Sequence, residues 1–428
     1  MVLSRGVGTK LFGVDGREYF DFLSAYSAVN QGHCHPKIIG ALVDQSQTLT
    51  LTSRAFHNDK LGEYCEFITE FFGYDRVLPM NTGVEGGETA VKLARRWGYR
   101  VKNIEEGKAK VLFADNNFWG RTMAAISSSN DPTCKGDFGP FMPGFSNVPY
   151  GDADALERAI AADPGNVAAF MVEPIQGEAG VVIPPRGYLS RVRAICDKYN
   201  VLLICDEVQT GIARTGTMLC SDFDGVKPDI AVLGKALSGG VYPVSAVLAS
   251  HEIMLTIGPG EHGSTYGGNP GEQAPSKSSD FFLIYIYIWR FRFYRVFACL
   301  HYLCFPSLPV GCAVAKAALE VVRDENLVEN SVLRGDQLRA GLSSMISGSC
   351  IEKVRGRGLL NAIVIDDEKG DYSDEGKAWD LCLKMMNNGL LAKPTHGNIV
   401  RFAPPLTITE TEIDQCLDII GKSLKEID

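Results

Sequence analysis

Two stretches of the sequence decide the fold: residues 201–211 read VLLICDEVQTG, and residues 229–240 read DIAVLGKALSGG. Each begins with a short apolar run bounded by turn-forming residues, a pattern typical of a strand that is buried on both faces. The first run ends in an acid, Asp206, and the second ends in a lysine, Lys235. Because ligands of an open α/β sheet bind at the carboxyl ends of its strands, we expect these two charged side chains to face one crevice.

Similar apolar runs recur along the chain and alternate with segments of helical period, such as residues 90–97. This alternation predicts an α/β fold with a mostly parallel central sheet that helices cover on both faces. From about residue 328 the pattern changes to a smaller α+β unit, in which Thr409 and Glu412 have the spacing of a capping box. The further predicted strands lie at residues 111–114, 168–172 and 244–248, with a hairpin over residues 10–22.

Composition narrows the class of protein. The 428 residues carry 51 acidic and 42 basic side chains, a net charge of −9, which gives no reason to expect a nucleic-acid partner. The 12 cysteines contain no CxxC pair, so we interpret them as reduced thiols of an intracellular protein. The run His33-Cys34-His35 suggests a metal, but adjacent residues share one tetrahedral ion poorly, and we favour a turn before Pro36 and no metal site.

A phosphate-binding segment and a reactive lysine are the first indications of chemistry. Residues 79–89 read PMNTGVEGGET and lead into the predicted helix, with Thr82 and Glu85 at capping-box spacing. Glycines at a helix N-terminus expose backbone N–H groups that bind phosphate, although a plain capped helix has the same pattern. A desolvated Lys235 would have a lowered pKa and act as a nucleophile, and Asp206 would suit the ring nitrogen of pyridoxal phosphate.

Three further segments carry side chains suited to a substrate. Residues 117–122, NFWGRT, offer the aromatic Phe118 and the arginine Arg121. Residues 399–405, IVRFAPP, place Arg401 inside an apolar strand, where an unpaired charge is costly. Its partner would be a carboxylate, either a substrate or Glu178 in the segment EPIQGEAG. Taken singly, each of these residues is better explained by a structural salt bridge.

Together these segments resemble the class-III aminotransferases, pyridoxal 5'-phosphate enzymes of fold type I. The likeness spans nearly the whole chain outside residues 271–310. The runs SAYSAVNQGHCHP, NFWGRT and LLAKPTHG point to the branch that acts on ornithine rather than to relatives acting on acetylornithine or 4-aminobutyrate. The resemblance implies a large cofactor-binding domain over residues 36–327, a small C-terminal domain over residues 328–428, and an N-terminal segment, residues 1–35, that packs with it.

The activity that this resemblance implies is transfer of the δ-amino group of L-ornithine to 2-oxoglutarate. The products would be L-glutamate 5-semialdehyde and L-glutamate, formed by a ping-pong mechanism. The enzyme would be a homodimer, and its reaction would link arginine catabolism to proline biosynthesis. Acetylornithine or another ω-amino acid is the alternative donor within the class. A catalytically impaired product, disturbed by the stretch at residues 271–310, is the alternative from outside it.

The resemblance also implies roles for the residues that match the family pattern in the cofactor site. Lys235 would bind the cofactor covalently and then act as general acid and base, and Asp206 would pair with the ring nitrogen. Gln209 would contact the side of the ring that bears the 3-hydroxyl, and Phe118 would stack on the ring. The remaining cofactor contacts would be Gly83 and Val84, through backbone N–H groups to the phosphate, and Thr265, to the phosphate of the partner subunit.

The implied substrate residues are four. Tyr26 and Arg121 would hold ornithine, with Arg121 on its α-carboxylate, which places the δ-amine at the reacting end. Glu178 would neutralise Arg401 in the ornithine half-reaction and release it for 2-oxoglutarate in the other. One site would in this way accept a diamino acid and a dicarboxylate in turn.

The sequence departs from the family pattern at two places. The family has an upstream segment that supplies a tyrosine to the ornithine site, and we expect that segment to be missing here. The first residues resemble neither a signal nor a transit peptide, so the chain as it stands is expected in the cytoplasm. The mitochondrial matrix is the alternative if a targeting segment precedes it.

The second departure is the stretch at residues 271–310, which is foreign to the family pattern. Its residues 281–305 read FFLIYIYIWRFRFYRVFACLHYLCF. Three central arginines, Arg290, Arg292 and Arg295, argue against a membrane span. We interpret the stretch as a retained intron, with a genuine loop that contacts a membrane or a partner as the alternative.

Overall fold

A computed structural model describes residues 1–52, 56–267, 309–366 and 376–427. The strands are β1 Leu3–Val7, β2 Lys10–Gly13, β3 Glu18–Asp21, β4 Arg76–Met80, β5 Lys110–Ala114, β6 Phe145–Val148, β7 Val167–Val172, β8 Leu202–Asp206, β9 Ile230–Leu233, β10 Ser245–Ala249, β11 Ile351–Arg357, β12 Leu360–Ile365, β13 Leu390–Leu391, β14 Lys393–Thr395 and β15 Ile399–Phe402. The α-helices are α1 Pro36–Thr48, α2 Asp59–Phe72, α3 Gly83–Arg100, α4 Met123–Ser128, α5 Pro132–Lys135, α6 Ala153–Ala162, α7 Tyr188–Lys198, α8 His251–Met254, α9 Pro309–Asp324, α10 Leu327–Ser344, α11 Lys377–Asn387 and α12 Glu410–Leu424. A left-handed turn at Ser24–Ser27 and 3-10 turns at Cys220–Asp224 and Lys235–Ser238 complete the set.

The central sheet has 7 strands in the order β4-β10-β9-β8-β7-β5-β6. The strands from β9 to β6 are parallel, and β10 runs antiparallel to both of its neighbours. This arrangement confirms the mostly parallel sheet that the sequence predicts, and the predicted strands fall within one residue of β5, β7, β8, β9 and β10. The sequence reading did not include β4, which contains a proline, or β6, whose FSNV sequence is not an apolar run.

Helix α3 begins at the edge of the central sheet where β8 and β9 end. Because β10 is antiparallel to both β4 and β9, strand β4 runs in the same direction as β9 and β8. The chain therefore leaves β4 at the edge where β8 and β9 also end, and α3 begins three residues later, at Gly83. The predicted capping box is confirmed, since Thr82 and Glu85 exchange side-chain and backbone hydrogen bonds.

Two smaller sheets flank the central one. An antiparallel sheet in the order β11-β12-β15-β14 belongs to the C-terminal part and carries Arg401 in β15. A second sheet, β1-β2-β3-β13, joins the N-terminal hairpin to the C-terminal part, because Phe20 of β3 pairs in parallel with Leu390 of β13. The capping box of Thr409 and Glu412 opens α12 as predicted. The domain limits at residues 35 and 327 stay a prediction.

Several sequence interpretations concern features outside the site. Residues 271–308 of the foreign stretch lie outside the described residues, and α9 begins directly after them. No helix in the described ranges is long and apolar enough to cross a membrane. The 10 cysteines of those ranges are free thiols, and no His, Cys, Asp or Glu cluster there could hold a metal ion. In the predicted turn, His33 pairs with Asp21 at 2.7 Å and His35 with Glu325 at 2.8 Å.

Candidate active site

A cavity of about 240 Å³ lies at the carboxyl ends of β8 and β9, beside the N-terminus of α3. It brings together the predicted lysine and aspartate with four of the five other predicted cofactor contacts. Its lining residues are Gly83, Val84, Phe118, Trp119, Gly120, Glu173, Asp206, Val208, Gln209 and Lys235. The two decisive stretches of sequence therefore meet in one crevice.

Lys235 presents an amine without a partner to this cavity. No hydrogen bond or ion pair engages its side chain anywhere in the described part of the chain. Burial lowers the pKa of the Lys235 amine below its usual range, although the charges of Glu178 and Asp206 partly oppose the shift. The backbone of Lys235 is left-handed, with φ +46°, a conformation that costs a non-glycine residue about 1–2 kcal/mol. A desolvated amine without a hydrogen-bond partner, held on a strained backbone, is suited to nucleophilic and proton-transfer chemistry.

Two buried acids lie beside the lysine. Asp206 accepts a hydrogen bond from the Val208 N–H at 3.0 Å, and burial raises its pKa to about 6. Glu173 accepts from the backbone N–H groups of Phe118 at 3.0 Å and Gly177 at 3.2 Å. Burial, together with the charge of Asp206, raises the pKa of Glu173 to about 8. The sequence analysis marked the segment that begins at Glu173 as a strand-end loop carrying acids, but it gave Glu173 no role of its own.

The predicted phosphate cradle is the N-terminus of α3. Thr82 Oγ1 accepts from the Glu85 N–H at 3.3 Å, and Glu85 Oε2 accepts from the Thr82 N–H at 2.9 Å. The N–H groups of Gly83 and Val84 stand in the first turn, where a helix offers no carbonyl partner. A Cβ on Gly83 would lie 2.9 Å from Val208 Cγ1, so a side chain there would crowd the cavity wall. An anion would be stabilised at this point by the N–H groups and the helix dipole.

The ring of Phe118 lines the cavity, and the predicted arginine lies near it. The guanidinium carbon of Arg121 is 5.6 Å from the centroid of the Phe118 ring, and its Nη1 donates to Cys134 Sγ at 3.6 Å. Thr265 is exposed and is not among the residues lining the cavity of its own chain. Its loop is anchored beside the cradle, because Asn81 Nδ2 donates to Ser264 Oγ at 2.7 Å.

The remaining substrate candidates meet at the border of the cavity. Arg401 Nη1 donates to Glu178 Oε1 at 3.0 Å and to Gln209 Oε1 at 3.4 Å. Burial opposes ionisation of Glu178, but the charges of Arg401 and Lys235 outweigh it and lower the pKa of Glu178. The guanidinium carbon of Arg401 is also 5.1 Å from the centroid of the Tyr26 ring. Sequence reasoning missed Lys393, whose Nζ donates to the Tyr26 hydroxyl at 3.0 Å.

The donors and acceptors around the cavity fit one kind of cofactor. An unpaired lysine, a buried acid, an aromatic ring and an open helix N-terminus match the aldehyde, ring nitrogen, ring face and phosphate of pyridoxal 5'-phosphate. On an open sheet that is mostly parallel, this set defines a pyridoxal-phosphate enzyme of fold type I.

Comparison with known proteins identifies the family. The family model Aminotransferase class-III matches residues 1–278 and 298–424. The chain belongs to the class-III aminotransferases, which use pyridoxal 5'-phosphate. Residues 279–297, inside the stretch that the sequence marks as foreign, fall outside the match.

Individual relatives are similar over almost the whole chain. Ornithine aminotransferase, mitochondrial, of Drosophila melanogaster is 55% identical over 424 residues, 99% of this chain and 87% of the relative. The protein of the same name from Rattus norvegicus is 55% identical over 99% of this chain and 86% of its own. The crystal structure of the ornithine aminotransferase from Toxoplasma gondii ME49 has a TM-score of 0.87 at 45% identity, covering 100% of this chain and 90% of that one. The acetylornithine aminotransferase from Elizabethkingia anophelis has a TM-score of 0.82 at 48% identity, covering 99% and 94%.

Proposed function

We propose that this protein transfers the δ-amino group of L-ornithine to 2-oxoglutarate. The observation that carries the proposal is the pair of Arg401 and Glu178 beside the unpaired amine of Lys235. A ping-pong transaminase must bind two unlike substrates in one site, and a cation that one carboxylate can cover or release serves both. The similarity of nearly the whole chain to ornithine aminotransferases supports this choice of donor.

The residues of the cavity divide the work of proton transfer and charge stabilisation. When bound, pyridoxal 5'-phosphate supplies an electron sink for the carbon that loses a proton. Lys235, whose pKa is lowered by burial, would take that proton and return it to the neighbouring atom. Asp206 would keep the ring nitrogen protonated, Gln209 would contact the 3-hydroxyl side, and Phe118 would hold the ring plane. The phosphate would lie on the N–H groups of Gly83 and Val84.

The substrate residues would orient ornithine by its two charged ends. Arg121 and Tyr26 would hold the α-carboxylate end, so that the δ-amine reaches the proton-transferring Lys235. Glu178 would cover Arg401 during this half-reaction, because a free guanidinium would repel a diamino acid and attract an α-carboxylate instead. In the second half-reaction Arg401 would bind a carboxylate of 2-oxoglutarate.

A second copy of the chain would complete the proposed cofactor site. Thr265 is exposed on a loop that is anchored at the cradle, yet it does not line the cavity of its own chain. We therefore propose a homodimer in which Thr265 of each chain contacts the phosphate of the other. For the compartment we propose the mitochondrial matrix, since the fruit fly and rat relatives are named as mitochondrial proteins.

Acetylornithine is the second candidate donor, because the Elizabethkingia enzyme is 48% identical and has the same fold. The two donors differ in charge at the α-nitrogen, so initial rates with L-ornithine, acetylornithine and 4-aminobutyrate separate them. We expect ornithine to give the highest kcat/KM by at least about tenfold.

The deciding experiment is purification of the chain with and without residues 271–309, followed by the ornithine assay. We expect the shortened protein to bind the cofactor and to form L-glutamate 5-semialdehyde. Lys235→Ala should lose at least about 10²-fold in kcat, the size of a general acid–base contribution. Lys227→Ala is the matched control, since that lysine is exposed at the surface, where it donates to the carbonyl of Gly73 and lies over the ring of Tyr74. Cofactor-loaded protein that is inactive with ornithine in both lengths would refute the proposal.

A further inference from the structure

Arg214 is a guanidinium enclosed in the core, and the catalytic proposal gives it no task. Its side chain is 0% exposed. It stands in the same run of sequence as Asp206 and Gln209, residues 206–216. Within the described ranges it forms no ion pair, and its hydrogen bonds all go to neutral amide oxygens.

These bonds tie three separate parts of the chain together. Arg214 Nε and Nη2 donate to Asn30 Oδ1 at 3.2 and 2.5 Å. Its Nη1 donates to the carbonyls of Leu359 at 2.9 Å and Pro404 at 2.6 Å. Asn30 follows the turn that bears Tyr26, and Pro404 follows Arg401 by three residues. One guanidinium therefore contacts the N-terminal segment and two connections of the C-terminal sheet.

The surrounding main chain repeats the same connections. The carbonyl of Arg214 accepts from the Leu359 N–H at 3.0 Å and from Ser331 Oγ at 3.0 Å. Asn30 Nδ2 donates to the Ile212 carbonyl at 2.9 Å, and the Asn30 carbonyl accepts from the Leu406 N–H at 2.7 Å. Both the side chain of Arg214 and the main chain around it are therefore bonded to these parts of the molecule. A shift at Arg214 would disturb the segments of Asn30, Leu359 and Pro404 together.

Stability alone does not explain a charge at this place. Burial lowers the pKa of Arg214 to about 9, and Asp21, a buried acid of the N-terminal hairpin, opposes the shift only in part. Apolar residues often replace buried charges without loss of stability. Arginine differs from them, and from lysine, in presenting five N–H donors in a fixed planar fork. Such a fork sets the direction of several partners at once.

We propose that Arg214 is a positioning residue of the transamination site. It holds the strand bearing Arg401 and the turn bearing Tyr26 at a set distance from the segment, residues 206–216, that carries Asp206 and Gln209. This inference rests on the proposed function, because it concerns how the two substrates are held. Its loss would displace the substrate groups while the cofactor groups, which lie on β8, on α3 and on the segments that follow β5, β8 and β9, stay in place.

The test is Arg214→Lys in the full chain loaded with cofactor. Each half-reaction is followed by the change in cofactor absorbance as ornithine or 2-oxoglutarate is added. We expect the absorbance of the resting enzyme to stay unchanged while kcat/KM falls about ten- to a hundredfold for both substrates, as a displacement of about 1 Å produces. Arg339→Lys is the matched control, since the partners of Arg339 within the described ranges, Gly358, Asn361 and Asp336, all lie in the C-terminal part.

The outcomes separate the possible failures. Unchanged kcat/KM for both substrates in Arg214→Lys overturns the inference, as does an equal loss in Arg339→Lys, which would reveal general destabilisation. Should Arg214→Lys fail to fold, Asn30→Ala removes the amide acceptor and leaves the two carbonyl partners; it should lower kcat/KM for both substrates by a smaller factor. No change in kcat/KM there also overturns the inference. An unsubstituted chain that is inactive with ornithine refutes the proposed function instead.

Discussion

Arg401 of β15 and Glu178 of the loop after β7 form an ion pair of 3.0 Å at the border of the cavity. The arginine side chain is 4% exposed and the glutamate side chain 26%, so the acid is the more solvent-accessible member of the pair. Gln209 joins both, donating to Glu178 at 3.1 Å and accepting from Arg401 at 3.4 Å. A residue that lines the cavity therefore contacts both members of the ion pair.

Glu178→Ala should open the site to α-amino donors. Without the carboxylate, Arg401 is free to bind the γ-carboxylate or α-carboxylate of glutamate, and a charge-assisted hydrogen bond contributes about 1.5–3 kcal/mol. We expect kcat/KM for glutamate relative to ornithine to rise about ten- to a hundredfold, measured by the single half-reactions. Glu352→Ala, an exposed glutamate of β11, is the control. An unchanged donor preference would count against the switch.

Arg401→Leu should impair the 2-oxoglutarate half-reaction more than the ornithine half-reaction. The variant places an apolar side chain in the apolar strand and removes the carboxylate-binding group. The 2-oxoglutarate half-reaction should therefore lose at least about tenfold in kcat/KM. The ornithine half-reaction, in which Arg401 is covered, should change much less. Equal losses in both half-reactions would show that the arginine serves the structure rather than the oxo acid.

Glu173 should make the cofactor-free protein less stable as the pH rises. Its pKa is raised from 4.5 to about 8 on folding, so the folded state holds a proton that the unfolded state releases between these values. The free energy of unfolding should therefore fall by up to about 1.4 kcal/mol per pH unit over this window, and stability is greatest on the acid side.

Glu173→Gln should remove this contribution. Thermal unfolding of both proteins at pH 5.5, 6.5 and 7.5 measures it, and the difference between their midpoints should shift steadily in favour of the variant as the pH rises. Parallel curves would mean that Glu173 is ionised in the folded protein.

A glycine in the turn at Ser24–Ser27 should relieve its backbone strain. Ala25 has φ +47° with an exposed side chain, and its three turn neighbours also have positive φ. Ala25→Gly should raise the free energy of unfolding by up to about 1 kcal/mol, because glycine adopts this conformation without a Cβ penalty. Ala28→Gly is the matched control, since Ala28 has φ −86° and should lose about 0.5–1 kcal/mol. Destabilisation by both substitutions would contradict the left-handed turn.

The sheet and the cofactor cradle were predictable because their signals are local. Each buried strand is a run of apolar residues, and the capping box of α3 lies within four consecutive positions. The one general rule needed beyond these patterns is that parallel strands present their carboxyl ends at a common edge. That rule was sufficient to place Asp206 and Lys235 together.

Glu173 and Lys393 show why other site residues were not predicted from the sequence. The raised pKa of Glu173 comes from burial together with Asp206, which lies on the neighbouring strand and not near it in the chain. Lys393 contacts Tyr26 across 367 positions of sequence, through a strand pairing that joins the two ends of the chain. No pattern within either segment carries this information.

The amino-acid sequence alone determined five of the seven central strands, the helix that begins at the cavity, and the meeting of lysine and acid, because apolar periodicity and helix capping act between neighbours in the chain. Only the tertiary structure decided that Arg401 reaches Glu178, 223 positions away, and that Arg214 bonds Asn30, Leu359 and Pro404. These contacts depend on how separately folded sheets pack against each other, and the desolvation of buried charges, which governs their pKa, is a property of that packing.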